Sequence, residues 1–379
     1  MFKKLKWKLK SLFYYIYKRT MFSENKTLGL NKLIKIRENS VLIIEINSYH
    51  SETLLGNCEY FFRLGYNVDI ATTYKNIKKE PFCRSNNNSL RIFASDEYDI
   101  SKWAKNNFSN QYEFIFFNSY TYSCKIYIEK LFKKLPPSKY GVLGAEHGVI
   151  EKSKSDFPEI YNKIKENRLF TLFNNVNIPR LNPHYFGDIK ITSKNKDDII
   201  FTNIGKMSSS MRNLDIIIET AKDFINNNIK NFKIIFIGTG KLKIPKNLLN
   251  YCEIKGMLNF PDMFNIIEKS DFLLSTMDIT NIKHNRYLKG QSSGNIQLSL
   301  GFKKPLIINE VFGKNYEFSN DNAIFYSENN LKDGMLKAIN ISFEDYKKMQ
   351  NSIDDLSKKI YNQSLNDLKN VIKNCVNKG

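Results

Sequence analysis

The sequence predicts an α/β protein with two Rossmann-like domains facing a cleft and a C-terminal helical extension. Three observations carry that expectation. From residue 41 onward, short apolar runs alternate with helical stretches, the signature of βαβ units around a parallel sheet. The alternation fades near residue 190 and restarts at 199, and from residue 343 to the end the spacing is helical with no strand. A chain of 379 residues is too long for one ordinary domain and sufficient for two, each with its own core. Two such sheets put their strand C-termini, and so their ligands, at the cleft between them.

Composition narrows the function classes. Apolar residues make up 42% and aromatics 13%, which excludes intrinsic disorder. No run reaches the ~18 apolar residues of a spanning helix. Cys58, Cys83, Cys124, Cys252 and Cys375 are scattered, odd in number and without a CxxC pair. That excludes a disulfide framework or a recognisable zinc motif and suits a reducing cytoplasm. The 58 Lys+Arg against 38 Asp+Glu give a net +20, which attracts phosphates in nucleic acid, lipid or nucleotide. Richness in Lys, Asn and Ile, as an AT-rich genome produces, accounts for part of this, so clustering is more informative than the sum.

The first element is the basic amphipathic segment 1–23. Lys3, Lys4, Lys6, Lys8, Lys10, Lys18 and Arg19 precede the first acid, Glu24, while Phe2, Leu5, Leu9, Leu12, Phe13 and Ile16 follow helical spacing. A signal peptide would need a longer apolar core and a cleavage site of small residues. The pattern predicts peripheral attachment of a cytoplasmic protein to the anionic inner face of the plasma membrane through residues 1–20. The alternative is a helix packed on the domain with solvated lysines.

The N-terminal, acceptor-side domain spans 40–190. Residues 41–46, Val-Leu-Ile-Ile-Glu-Ile, read as a buried parallel strand. A helix follows at 53–64, ended by Gly65, then strands at 67–72, 113–117 and 140–143, with a helix at 126–133 between the last two. The boundary falls near 182–188. The second domain, 191–340, has strands at 199–203, 232–237, 251–254, 272–275 and 305–308. Helices at 213–226, 261–270 and 294–300 separate them. Residues 341–379 form the C-terminal helices.

The second domain carries five motifs in register. They are Gly205-Lys206 with Arg212-Asn213, Ile234-Ile-Phe-Ile-Gly-Thr-Gly240, Gly256-Met-Leu258, Ser270-Asp-Phe-Leu-Leu-Ser275, and Ser292-Ser-Gly-Asn295 leading to Lys304-Pro305. Over roughly 199–340 the chain resembles the donor domain of GT-B glycosyltransferases, of the family 1/4-like, bacterial surface-glycan type; the first half is like the acceptor domain in pattern only. The resemblance implies transfer of a sugar from a nucleotide-sugar donor to a saccharide or lipid-linked acceptor in lipopolysaccharide, lipooligosaccharide or capsule assembly. It implies no cofactor and, with no Asp-x-Asp triplet present, no metal.

The residues suit a diphosphate. Ser292, Ser293, Gly294 and Asn295 stand where a helix begins, offering hydroxyls, free N–H groups and a partial positive charge. Lys206 and Arg212 supply charge-assisted donors. Gly238 lies in the Gly-Thr-Gly turn, and Gly256 and Leu258 would hold the nucleobase. An N-cap, solvated charge and an ordinary turn are the bland readings of these three groups. Retaining family-4 enzymes carry two glutamates eight positions apart, the second seven before the proline; here those positions are Gly290 and Leu298. An inverting displacement with a base in the N-terminal domain is therefore expected.

Two loops at the edge of the first sheet offer that base. Asn47-Ser-Tyr-His50-Ser-Glu52 follows the first strand, and Glu52, charged at pH 7 without tuning, is favoured, with His50 orienting or replacing it. Gly144-Ala-Glu146-His147-Gly148 follows another strand. N-capping by Ser51 and a structural histidine are the alternatives. His284 with Tyr287 would line the donor side. Rival readings are a nucleotide-sugar epimerase on the same fold, a catalytically dead scaffold, and a non-enzymatic nucleic-acid-binding protein. The last is disfavoured, since no RRM, KH, zinc or helix-turn-helix signature is present and the basic cluster is terminal.

Overall fold

A computed structural model describes residues 27–29, 35–95, 100, 110–119, 131–133, 135–164, 166–173, 177–194, 197–208, 212–327 and 330–377. The basic segment 1–23 lies outside the described residues, as does most of the expected helix 126–133.

The first half holds strands β1 (Thr27–Gly29), β2 (Ser40–Glu45), β3 (Asn67–Thr73), β4 (Leu90–Ser95), β5 (Phe114–Phe117), β6 (Val142–Glu146) and β7 (Leu169–Thr171). Its helices are α1 (Leu54–Arg63), α2 (Tyr74–Ile77), α3 (Ile150–Asp156) and α4 (Pro158–Ile164). The second half runs β8 (Ile199–Ile204), α5 (Asp215–Asn226), β9 (Phe232–Ile237), β10 (Cys252–Gly256), α6 (Phe260–Lys269) and β11 (Phe272–Ser275). It continues with α7 (Asn285–Leu288), α8 (Gly294–Phe302), β12 (Leu306–Asn309), α9 (Glu310–Asn315), β13 (Ala323–Tyr326), α10 (Leu331–Asn340) and α11 (Phe343–Val376).

Both sheets are parallel throughout their described pairs, in the orders β1-β4-β3-β2-β5-β6-β7 and β10-β9-β8-β11-β12-β13. Every residue of β2 and β5 is buried, as expected for strands covered on both faces. In each sheet the order reverses beside a central strand, between β2 and β5 and between β8 and β11. Ligands bind beyond the strand ends at such switch points. The loops after β2 and β5, and after β8 and β11, are therefore where the chemistry belongs.

Three expectations change. The sequence predicts a loop at 144–148, but Gly144, Ala145 and Glu146 continue β6, because β7 pairs with them. The short β7, β4 and β13 were not foreseen. Nor does each half keep a core to itself. Leu181, Phe186, Phe264 and Phe302 belong to one apolar cluster that reaches from β2 and α1 to α8 and β12.

Helix α11 explains part of this join. Ser342 caps it by accepting from the Asp345 N–H, and it runs for 34 residues. Its first turns pack on the second sheet through Tyr346 and Met349. Its later turns return to the first half. There Tyr361 stacks on Tyr60 at 4.9 Å, the Ser364 hydroxyl accepts from Asn182 N (3.1 Å), and Ser357 O meets His184 Nε2 (3.1 Å). The C-terminal extension is thus a strap across both halves.

Glycine is required where α8 meets this join. A Cβ at Gly301 would stand 2.4 Å from the Phe186 ring and 2.6 Å from His184 O. Gly301→Ala is expected to cost about 1–3 kcal/mol through overpacking, read as a lower urea midpoint. A midpoint equal to wild type would show that the joint between the halves yields easily.

Candidate functional site

The loop after β2 is built on a buried acid. Glu45 is fully buried, and its carboxylate accepts from Asn47 N (2.5 Å), Asn118 Nδ2 (2.6 Å) and Ser119 Oγ (2.7 Å). Burial pushes it up to about 8 against the pull of those donors. The chain then passes His50, makes a 3-10 turn at Ser51–Thr53 and enters α1. Ser51 makes no side-chain cap there, and Thr53 Oγ1 donates to His50 O at 2.7 Å.

Glu52 sits in this turn. The expectation that it needs no tuning is not met: burial raises it to about 7, with the Lys79 ammonium pulling the other way. Lys79 Nζ in turn donates to Ser48 O, so the loop is tied down from α2's side.

The loop after β6 comes to the same place. His50 and His147 have ring centroids 4.2 Å apart. His147 Nε2 donates to Asn118 O at 2.7 Å; a carbonyl only accepts, so Nε2 carries the proton and Nδ1 the lone pair. Burial lowers His147 to about 4. It lowers His50 well below the usual imidazole value, helped by His147 and Lys79. Both rings are neutral at pH 7. Glu146 is committed differently, accepting from Gly148 N and from Ser153 Oγ (2.7 Å).

The second half closes over these rings. Ser292 donates to His147 O through its N–H (2.9 Å) and its hydroxyl (3.2 Å). A cleft of about 400 Å³ lies here, lined by His50, Glu146 and His147 from one half and Arg286 and Ser292 from the other. Behind Arg286, the Tyr287 hydroxyl accepts from Arg286 Nη2 and from Arg212 Nη1, each at 3.3 Å. Burial alone would raise Tyr287, but the two guanidiniums outweigh it and lower its pKa.

Helix α8 starts beside the cleft. Ser293 precedes it in extended conformation without capping it, and its hydroxyl is buried with no hydrogen-bond partner among the described residues. Asn295 Nδ2 donates to Leu274 O (2.8 Å), joining α8 to the end of β11, while Asn295 Oδ1, Thr276 Oγ1 and His284 Nε2 are also buried without such a partner. His284 Nδ1 accepts from Asp278 N (2.8 Å), which leaves the proton on Nε2. Unmet buried polar atoms cost ~1–3 kcal/mol each, so their concentration around β11 and α8 marks a place for water or ligand oxygens.

The remaining sequence candidates are spread more widely. Lys206 is exposed just after Gly205, and neither it nor Glu52, Gly294 or Asn295 lines the cleft. Gly238 has a structural reason of its own, since a Cβ there would be 1.8 Å from Gly205 O. Gly256 ends β10 at φ +69° with open space around it, and Leu258 is half-buried against the shared core. Gly290 turns at φ +96° before α8, and Leu298 is buried within the helix. His184 is a buried tie to α11.

Sequence reasoning missed Arg286, Asn118 and Glu45. Glu45 had a visible signal, being the lone acid inside the apolar run 41–46. Arg286 and Asn118 had none, because only the switch-point geometry brings them in.

No family model matches the chain, and no curated protein matches it. Solved structures do. A TarM variant from S. aureus, in complex with fondaparinux, alpha-GlcNAc-glycerol and UDP, is 12% identical with a TM-score of 0.58, over 88% of this chain and 99% of that one. Sucrose-phosphate synthase from Thermosynechococcus elongatus is 10% identical with a TM-score of 0.55, over 90% and 100%. HepE from Anabaena, in complex with UDP and glucose, is 11% identical with a TM-score of 0.52, over 89% and 98%. At these identities the likeness is one of fold: the chain has the GT-B fold of glycosyltransferases.

Proposed function

We propose that the protein is a glycosyltransferase that moves a sugar from a nucleotide-sugar donor to a saccharide or lipid-linked acceptor in cell-surface glycan assembly. Fold alone does not give activity. The observation that carries the reading is the cleft in which the His50–His147 pair of one half faces Arg286 and Ser292 of the other, beside the start of α8. In this reading the acceptor oxygen attacks the anomeric carbon and its proton passes to a base in the 50–52 loop. The bond from that carbon to the phosphate oxygen breaks, and the nucleoside diphosphate leaves with the electron pair. Arg212, Arg286, Lys206 and the α8 N-terminus offset the charge that develops. With no acid at Gly290 or Leu298, the displacement is inverting, and the reading assigns no metal and no nucleic acid to the site. TarM and HepE were solved with UDP, which favours a uridine donor as the first to try.

The testing experiment offers purified protein a panel of UDP-, GDP- and dTDP-sugars and reads nucleotide release. Release from one donor supports the reading, and silence across the panel removes it.

The acceptor side carries a companion proposal, that residues 1–20 hold the enzyme on anionic lipid at the cytoplasmic face. Among the described residues no helix is long and apolar enough to cross a membrane. Deleting residues 2–20 is expected to abolish sedimentation with phosphatidylglycerol liposomes, and added salt to weaken it in the full chain. Undiminished binding by the truncated chain would refute the proposal.

A further inference from the structure

We propose that Asn118 is a positioning residue of the transfer site: from the end of β5 it holds the His50 loop and the His147 loop in one register, with Glu45 as its anchor. This rests on the glycosyl-transfer reading above.

Asn118 stands at the switch point, where β5 gives way to a loop beside the end of β2, and it is fully buried. Each of its polar groups is used. Its N–H continues the ladder by donating to Ile44 O at 3.0 Å. Its carbonyl accepts the His147 Nε2 proton at 2.7 Å, which sets the tautomer of that ring. Its side-chain Nδ2 reaches Glu45 Oε2 at 2.6 Å, Thr53 Oγ1 at 2.9 Å and His50 O at 3.1 Å. Its Oδ1 accepts from Asn57 Nδ2 at 2.7 Å.

The direction of the amide follows from these partners. The Glu45 carboxyl takes Asn47 N on Oε1 and Ser119 Oγ on Oε2, and the NH2 end of Asn118 faces Oε2. Asn57 then meets the oxygen end. One side chain thereby ties the His50 carbonyl to the floor of the site, while its own backbone holds His147. Ser292 completes the clamp on His147 from the opposite half.

Removing the amide would leave His50 O, among the described residues, with Thr53 alone, through its N–H at 3.2 Å and its hydroxyl. The cleft's residues would remain, but their spacing would loosen. A displacement on the order of 1 Å costs up to ~10²-fold in rate. The binding of the nucleotide, on the other half, would be spared.

The test uses the full chain, a UDP-glucose, UDP-N-acetylglucosamine and GDP-mannose panel, and donor hydrolysis as the rate. Asn118→Ala, and the isosteric Asn118→Asp that keeps size but sets a second carboxyl against Glu45 in place of the NH2 group, are expected to lower kcat about tenfold to thirtyfold. The donor KM and the affinity for the released nucleoside diphosphate should stay within about twofold. Glu45→Gln, which keeps one acceptor oxygen but must turn its NH2 toward Asn47 N or toward Asn118, is expected to lower kcat by a smaller factor, about threefold to tenfold. Should Asn118→Ala fail to fold, Asn118→Asp and Glu45→Gln carry the test. A folded Asn118 variant with wild-type kcat overturns the proposal, as does a parallel loss of nucleotide affinity. An inactive wild type with the whole panel instead sinks the reading beneath it.

Discussion

Glu52→Gln is expected to lower kcat by about 10²–10⁴ while leaving the donor KM little changed. The substitution keeps shape and hydrogen-bonding reach and removes basicity. Burial brings Glu52 to about 7, where a carboxylate is both ionised enough and basic enough to accept a proton near neutrality. A base works only when ionised, so the wild-type kcat should rise with pH through about 7, and the variant should lose that dependence. His50 lines the cleft two residues before Glu52 and is neutral at pH 7, so His50→Ala should cost less if the ring only orients. Near-normal turnover in Glu52→Gln together with a dead Glu146→Gln would move the base to the other loop. Glu146 lines the cleft where Glu52 does not, but Gly148 and Ser153 already occupy its oxygens, which makes it the second candidate. A product with retained anomeric configuration would overturn the proposal of inversion, whichever acid proves essential.

The paired loss of Arg212 and Arg286 is the second large effect. Both guanidiniums meet the Tyr287 hydroxyl, and Arg286 lines the cleft. A hydrogen bond to a charged group is worth about 1.5–3 kcal/mol, or roughly tenfold to a hundredfold, so the double alanine variant should lose on the order of 10²–10³ in kcat/KM. The loss should appear in the affinity for free UDP as well, which separates it from the acceptor-side variants. UDP binding and kinetics unchanged in a folded double variant would place the diphosphate elsewhere, with Lys206 the next candidate. Lys206→Ala alone should cost less, because its ammonium is exposed and screened.

Much of the architecture was legible in the residues. Short, mostly apolar runs such as 41–46 and 272–275 suit a strand covered on both faces, and alternation with amphipathic helices makes the sheet parallel. The start of α8 was readable at Ser292-Ser293-Gly294, and the helical end from residue 343 was readable by spacing. What failed locally were short strands of three to six residues. Strand β7 is the instructive case: Leu169–Thr171 has no pattern of its own, yet its pairing moved Glu146 from a loop into the sheet.

The sequence by itself determined the two-sheet plan, the start of α8 at Gly294 and the chain positions of the candidate residues at 47–52 and 144–148, because periodicity and turn chemistry act over a few residues. Only the tertiary structure decided which of those candidates meet. It set His50 against His147, joined His147 to Ser292 across the halves, and brought in Arg286, Asn118 and the buried Glu45. It also moved Glu52 from an ordinary carboxylate to one titrating near 7. The physical reason is the same in each case. Burial and contact between residues 68 to 145 positions apart depend on the order of strands in a sheet and on the closure of two halves, and neither leaves a mark in local spacing.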